Sequence, residues 1–247
     1  MSLPFHFKEF SIAQDRCAMK IGTDGVLLGA WASLDPNVEK ILDLGSGTGV
    51  IALQLAQRNA FADIDAIEID DAAFEQCTDN FENSPWGDRL FCYHASAQEF
   101  AAEVDETYDL IVSNPPFYEP SLRKSGSLTE GEKLMQKSRK LARFNDALPF
   151  EHLIGCVYNL LSEKGVFALI LPRKEEELFI SLASEAGLFP RQICRVRGNS
   201  TSEEKRSLLE FSFQRTDIKL TELTIETERH EYTDAYRSLV KDFYLKM

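Results

Sequence analysis

The sequence predicts an α/β fold: a mostly parallel sheet with helices on both faces, closed by an antiparallel hairpin. Three observations predict it. Short apolar runs alternate with helix-period segments from residue 40 to residue 186. A glycine-rich turn follows the first of those runs. Two late β-rich pieces flank a polar tip. At 247 residues the chain suits one large α/β domain and can bury a core unaided.

The elements follow in order. Phe5, Phe7, Phe10 and Ile12 alternate loosely and read as a short strand or extended arm. Thr23 or Asp24 can cap a helix through Val26, Leu27, Leu28 and Trp31, ended by Pro36 and Asn37. Lys40–Leu44 is the first strand of the main rhythm, stopped by Gly45, and Val50–Arg58 is an apolar-periodic helix. Ile64–Ile69 is a strand, Ala72–Asn83 a helix, Leu90–His94 a strand, and Tyr108–Ser113 a strand stopped by Pro115 and Pro116. A helix spans about Asp146 to Leu161, a strand Val166–Leu171 and a helix about Glu175 to Ala186. Arg191–Arg197 and Ser207–Gln214 form the hairpin around the tip Gly198–Glu204. In the tail, Tyr232, Tyr236, Leu239 and Phe243 share one face of a helix.

In a sheet of this kind ligands bind outside the carboxyl ends of the strands. Residues just after Leu44, Ile67, His94 and Val112 are therefore expected to line one crevice, whatever their identity.

The residues there carry chemistry. After the first strand comes Asp43-Leu44-Gly45-Ser46-Gly47-Thr48-Gly49, whose glycines let backbone turn sharply and approach a ligand. Val50 holds the place where a dinucleotide fingerprint has glycine or alanine, which argues against NAD. Glu68 lies nineteen residues past Gly49, where a carboxylate can accept hydrogen bonds from ribose hydroxyls. Asn114-Pro115-Pro116-Phe117 follows the fourth strand. Two prolines fix φ twice and supply no N–H. The Asn114 amide oxygen and the Pro115 carbonyl then stand as acceptors beside an aromatic ring, which suits a flat substrate carrying an NH2 group.

Charge and cysteines bound the setting. Lys and Arg number 27 against 40 Asp and Glu, a net charge of -13, so the whole chain is no general polyanion binder. The balance is uneven. Arg123, Lys124, Lys133, Lys137, Arg139, Lys140 and Arg143 face only Glu130 and Glu132 within 121–143, a local +5. Segment 191–206 carries five cations against two acids, a further +3 and a second candidate surface. Cys17, Cys77, Cys92, Cys156 and Cys194 are widely spaced, without a CxxC or a cysteine–histidine cluster, so neither disulfides nor a metal site are expected. No run of 18 apolar residues and no secretory leader is present, and a cytoplasmic location is expected.

With these residues in view, the chain resembles the class I S-adenosylmethionine-dependent methyltransferases over about residues 38–172. Asp43–Gly49 resembles their glycine-rich loop, Glu68 their ribose acid, and Asn114–Phe117 their amino-methyltransferase signature [ND]PP[YFW]. A longer N-terminal stretch, Phe5–Phe10 and Asp15–Trp31, resembles the opening of the bacterial tRNA1(Val) adenine-N6-methyltransferases.

The resemblance implies a Rossmann-like sheet of seven strands with one antiparallel. It implies one methyltransferase domain over residues 1–247, in which 1–37 is an N-terminal extension and 38–247 the core with its hairpin and tail. It implies S-adenosylmethionine as cofactor, no metal, and methylation of an adenine beside the anticodon of a valine tRNA. Asn114, Pro115, Pro116 and Phe117 would be catalytic. Thr23, Asp24, Gly25, Asp43, Gly45, Ser46, Gly47, Glu68, Ile69, Ser96, Ala97 and Asn114 would contact the cofactor. Asp43 would help fix its amino group, and Ser96 would stand where relatives often place an acid against its adenine. The seven cations of 121–143 would meet the RNA backbone. Here Phe117 stands where the family commonly has tyrosine; it still stacks but lacks a phenolic hydrogen bond. Related amino-methyltransferases act on ribosomal RNA, on DNA or on a protein glutamine. The glutamine enzymes normally carry an N-terminal helical domain, whereas about 37 residues precede the first core strand here.

Overall fold

The structure is a computed structural model that describes residues 3–116 and 148–247. Nine described strands form one sheet. They are β3 (Lys40–Leu44), β4 (Asp63–Glu68), β5 (Leu90–His94), β6 (Tyr108–Ser113), β7 (Leu161–Pro172), β8 (Phe189–Asn199), β9 (Glu204–Ser212), β10 (Lys219–Glu228) and β11 (Glu231–Tyr232). Their order is β11-β10-β8-β9-β7-β6-β3-β4-β5. Strands β3 to β7 pair in parallel, and β9 runs against both β7 and β8. The Rossmann-like class is as expected, and the strand count is corrected. Beyond the seven strands, β10 adds in parallel to β8, and β11 turns back on β10 as a second antiparallel strand. A separate hairpin, β1 (Phe5–His6) with β2 (Ser11–Ile12), forms the N-terminal arm.

Strand residues alternate between two cores, as the period of two requires. On β6, Leu110 and Val112 face one core and Ile111 the other; on β7, Ala168 and Ile170 oppose Phe167, Leu169 and Leu171. The first core is covered by α1 (Thr23–Trp31), α2 (Val50–Arg58), α3 (Asp71–Glu82) and α7 (Asp234–Val240). The second is covered by α4 (Ala97–Glu103), α5 (Phe150–Leu160) and α6 (Glu176–Glu185). Helix α1 is apolar on every side and buried from Gly25 to Ala30, as a helix wedged between layers must be. It packs against α2, β7 and α7.

Two smaller expectations change. Helix α1 begins after Gly22, which offers no side-chain cap, so neither Thr23 nor Asp24 caps it. The tail is not one helix: Tyr232 lies in β11, Thr233 caps α7, and Phe243 lies beyond the helix. Tyr236 and Phe243 are nevertheless buried in the first core.

Candidate active site

The parallel register brings four strand ends level. Leu44 pairs with Ile67 and with Ser113, and Glu68 pairs with His94. Gly45, Glu68, Ala95 and Asn114 therefore stand at one end of the sheet, where topology alone predicts a binding crevice.

The glycine-rich loop is fixed by the neighbouring strand. The amides of Gly45 and Ser46 both donate to the Ile67 carbonyl at 3.0 Å, and that of Gly47 donates to Glu68 Oε2 at 2.8 Å. Gly45, Gly47 and Gly49 have φ of 80°, 55° and 78°, the left-handed region in which a side chain is strained. They differ in surroundings. A Cβ on Gly45 or Gly47 would meet nothing within 4 Å, whereas one on Gly49 would lie 2.6 Å from Phe81 and 2.9 Å from Cys77 Sγ. Gly49 lets α2 approach α3; Gly45 and Gly47 border open space. Ser46 is buried, and its hydroxyl donates to Cys77 Sγ at 3.5 Å.

Two carboxylates lie close to this loop in the fold, Asp43 at the end of β3 and Glu68 at the end of β4. Asp43 is fully buried, and its Oδ2 accepts from the Ala52 amide at 3.2 Å. Its Oδ1 has no hydrogen-bond partner among the described residues. Burial pushes the Asp43 carboxyl up to about 7, opposed by the Ala52 amide and reinforced by Glu68. A buried, unpartnered carboxylate oxygen calls for a donor or a cation. Half-buried Glu68 also accepts from the Ile69 and Asp70 amides at 2.9 Å. It thereby joins the glycine loop to the turn before α3. The Ile69 side chain is 61% exposed, an apolar surface beside that acid.

Ser96 is the N-cap of α4 in a capping box. Its hydroxyl donates to Glu99 Oε2 at 2.7 Å and accepts from the Glu99 amide at 3.2 Å. Both functions of that hydroxyl are thus used within the helix start, and Ala97 is the first residue of α4.

Asn114 is half-buried, Pro115 buried and Pro116 exposed. Gly25 of α1 faces Asn114: a Cβ there would lie 3.9 Å from Asn114 Nδ2. The Thr23-Asp24-Gly25 turn and the Asn-Pro-Pro segment, ninety residues apart, thus share one end of the sheet. Asp24 is engaged by Arg206 Nε of β9 at 2.8 Å. Phe117 and the cations Arg123, Lys124, Lys133, Lys137, Arg139, Lys140 and Arg143 lie outside the described residues.

The second basic segment, 191–206, is corrected. Arg195 binds the buried Glu176 at 2.8 Å, and Arg197 binds Glu204 at 3.0 Å and Glu222 at 2.7 Å. Arg191 lies 3.9 Å from the buried Glu210. These arginines are matched by acids of β9, β10 and α6 and do not form a free cationic face. A cavity of about 560 Å³ between α4 and α5 contains none of the candidate residues. Among the described residues no cluster of three His, Cys, Asp or Glu has metal-site geometry, and no helix is long and apolar enough to cross a membrane.

Known proteins resemble this chain in sequence and in fold. Residues 23–143 match the family model described as a methyltransferase small domain. A tRNA1(Val) (adenine(37)-N6)-methyltransferase of Flavobacterium psychrophilum is 56% identical over 98% of this chain and 100% of its own. One of Christiangramia forsetii is 54% identical over 99% of this chain and 98% of its own. Among solved structures, a predicted O-methyltransferase from Agrobacterium tumefaciens superposes with a TM-score of 0.68 at 18% identity, covering 89% of this chain and 96% of that one. That likeness establishes the fold.

Proposed function

The chain belongs to the tRNA1(Val) (adenine(37)-N6)-methyltransferase family, and from that premise we propose that it methylates the 6-amino group of an adenine beside the anticodon of a valine tRNA. The observation that carries the reading is the placement of Asn114-Pro115-Pro116 at the end of β6, the strand paired with β3 and its glycine-rich loop, with Gly25 close to Asn114.

The cofactor, S-adenosylmethionine, supplies an electrophilic methyl on a sulfonium. The residues present fit it. Gly45 and Gly47 leave room at the loop, Asp43 would offer a buried carboxylate oxygen to a cationic or amino group, and Glu68, held against the loop by the Gly47 amide, would accept from the ribose hydroxyls. Thr23, Asp24, Gly25, Ser46, Ile69, Ala97 and Asn114 complete the proposed contacts. Ser96 contributes as the cap that sets the start of α4.

An adenine amine is a weak nucleophile because its lone pair is delocalised into the ring. Asn114 and the Pro115 carbonyl would accept hydrogen bonds from its two N–H groups, which holds the nitrogen in place and favours sp3 character as the nitrogen–methyl bond forms and the methyl–sulfur bond breaks; the methylated ammonium is acidic and then releases one proton to water. The rate then comes from positioning and aligned dipoles, with no strong base required. Pro116 keeps the turn rigid. Phe117 stacks on the extruded base, a contact of about 1–3 kcal/mol. An unpaired loop nucleotide suits this, because flipping it costs less than opening a duplex. The cations of 121–143 directly follow the motif in sequence and meet the tRNA phosphates. In this reading the chain acts as one methyltransferase domain in the cytoplasm.

Incubation with labelled S-adenosylmethionine and unmodified tRNA, ribosomal RNA or release-factor protein, side by side, tests the proposal. Label recovered as N6-methyladenosine in tRNA supports it. Label confined to ribosomal RNA or protein contradicts it.

A further inference from the structure

Residues 13–20 form neither helix nor strand, so their backbone groups need partners elsewhere. Side chains of α3 supply several of them. The Ala13 amide donates to Asn80 Oδ1 and the Ala13 carbonyl accepts from Asn80 Nδ2, both at 2.9 Å. The second Nδ2 hydrogen goes to the Thr48 carbonyl in the glycine-rich loop, also at 2.9 Å. Asn80 is 3% exposed and uses both of its donor hydrogens. Asparagine is a poor residue for a helix interior. Here its carboxamide spans two chain segments that share no strand pairing.

One turn earlier on α3, buried Gln76 accepts from the Arg16 amide at 3.1 Å, while the Arg16 guanidinium meets Glu75 and Asp79. Gln14 accepts from the Ile21 amide at 3.0 Å, which folds the segment onto itself just before α1. Between these anchors lies half-buried Cys17, whose thiol is pushed up to about 11 by burial, then by Glu68 and Asp70. The segment therefore runs from its anchors on α3 to the start of α1, where Gly25 lies close to Asn114.

We propose that residues 13–22 form a wall of the cofactor site and that Asn80 is its positioning residue. Asn80 sets the affinity for S-adenosylmethionine by locking this segment to the glycine-rich loop, without touching the cofactor. The proposal rests on the cofactor reading above.

The test is calorimetric binding of S-adenosylmethionine to the full chain, with no RNA present, for wild type and Asn80→Ala. The variant is expected to bind about tenfold more weakly. Its kcat at saturating cofactor is expected to stay within about threefold of wild type. Hydrogen exchange on the wild type gives a second readout that no variant can spoil. Cofactor binding is expected to protect the amides of Ala13, Arg16 and Ile21. Arg16→Ala, a surface change that leaves the core alone, is expected to weaken binding by about threefold. An Asn80→Ala protein with wild-type affinity, or unchanged exchange over 13–21 on cofactor binding, overturns the proposal. A wild-type protein that binds no S-adenosylmethionine overturns the cofactor reading itself.

Discussion

The buried Ser113 hydroxyl donates to the Leu44 carbonyl at 2.9 Å, tying the strand that ends in Asn114 to the strand that ends in the glycine-rich loop. That side-chain bond, one residue before the motif, adds to the backbone pairing of β3 with β6 that sets the two halves of the site level. Ser113→Ala removes that bond and leaves only a small void. A loss of about 1 kcal/mol is expected. In a chain of this size that corresponds to a melting point about 2–4 °C lower. Turnover is expected to fall with cofactor affinity nearly unchanged. Thermal melts and a kcat against KM comparison check both.

Asn114 is the sharper case. Its carboxamide is half-buried, and its neighbours Ser113 and Pro115 are buried. Asn114→Ala is expected to fold normally and to lose about 10²-fold or more in kcat, the scale seen when one aligned polar group is removed from a reacting centre. Single-turnover methyl transfer at saturating cofactor measures this. Near-normal turnover would remove Asn114 from the mechanism.

Asp43 gives a pH signature. Its carboxyl titrates near 4 in an unfolded chain but is pushed up to about 7 in the fold by burial. Between those values the folded protein holds a proton that the unfolded chain has released. Stability therefore falls as pH rises from about 4 to about 7 and levels off above. Asp43→Asn is expected to flatten that dependence in thermal melts between pH 5 and pH 8. A cation bound beside the carboxylate favours its ionised form. Affinity for S-adenosylmethionine is accordingly expected to rise as pH climbs through 7 in the wild type, and this rise is expected to vanish in Asp43→Asn. Calorimetry across that range reads it directly.

Gly47 and Gly49 separate binding from folding within three residues. Both have positive φ, so alanine strains either backbone by about 1 kcal/mol or more. Gly49→Ala also drives a methyl to within 2.6 Å of the Phe81 ring and is expected to cost about 1–3 kcal/mol more in stability. Gly47→Ala places its methyl in open space and is expected to melt closer to wild type while weakening cofactor binding. Paired melting and binding curves on the two variants distinguish these outcomes.

Much of this site is legible in the sequence because strand ends punctuate it. Lys40–Leu44, Val50–Arg58, Leu90–His94 and Tyr108–Ser113 are read with the bounds the structure shows, each stopped by glycine, proline or a polar break. Helix α4 is missed because seven residues with one buried side chain, Phe100, give no period. The Ser96…Glu99 spacing was the available signal, since it is a capping box. Strand β10 is missed because only Leu223 among its ten residues is buried, although its threonines and isoleucine mark it as β-prone. The charge sum over 191–206 misleads for a different reason. Its arginines find Glu176 and Glu222, which lie outside the window summed. Asn80 is invisible to any local pattern, since its partners lie 32 and 67 residues away.

The central claim is that the end of β6 presents an adenine amine for methylation in a valine tRNA. The most direct measurement uses two valine tRNA transcripts that differ only in adenine or guanine beside the anticodon, with labelled S-adenosylmethionine and nucleoside mass spectrometry. N6-methyladenosine is expected at that position in the first transcript, and no label in the second. Equal label in both, or none in either while the protein binds the cofactor, would contradict it.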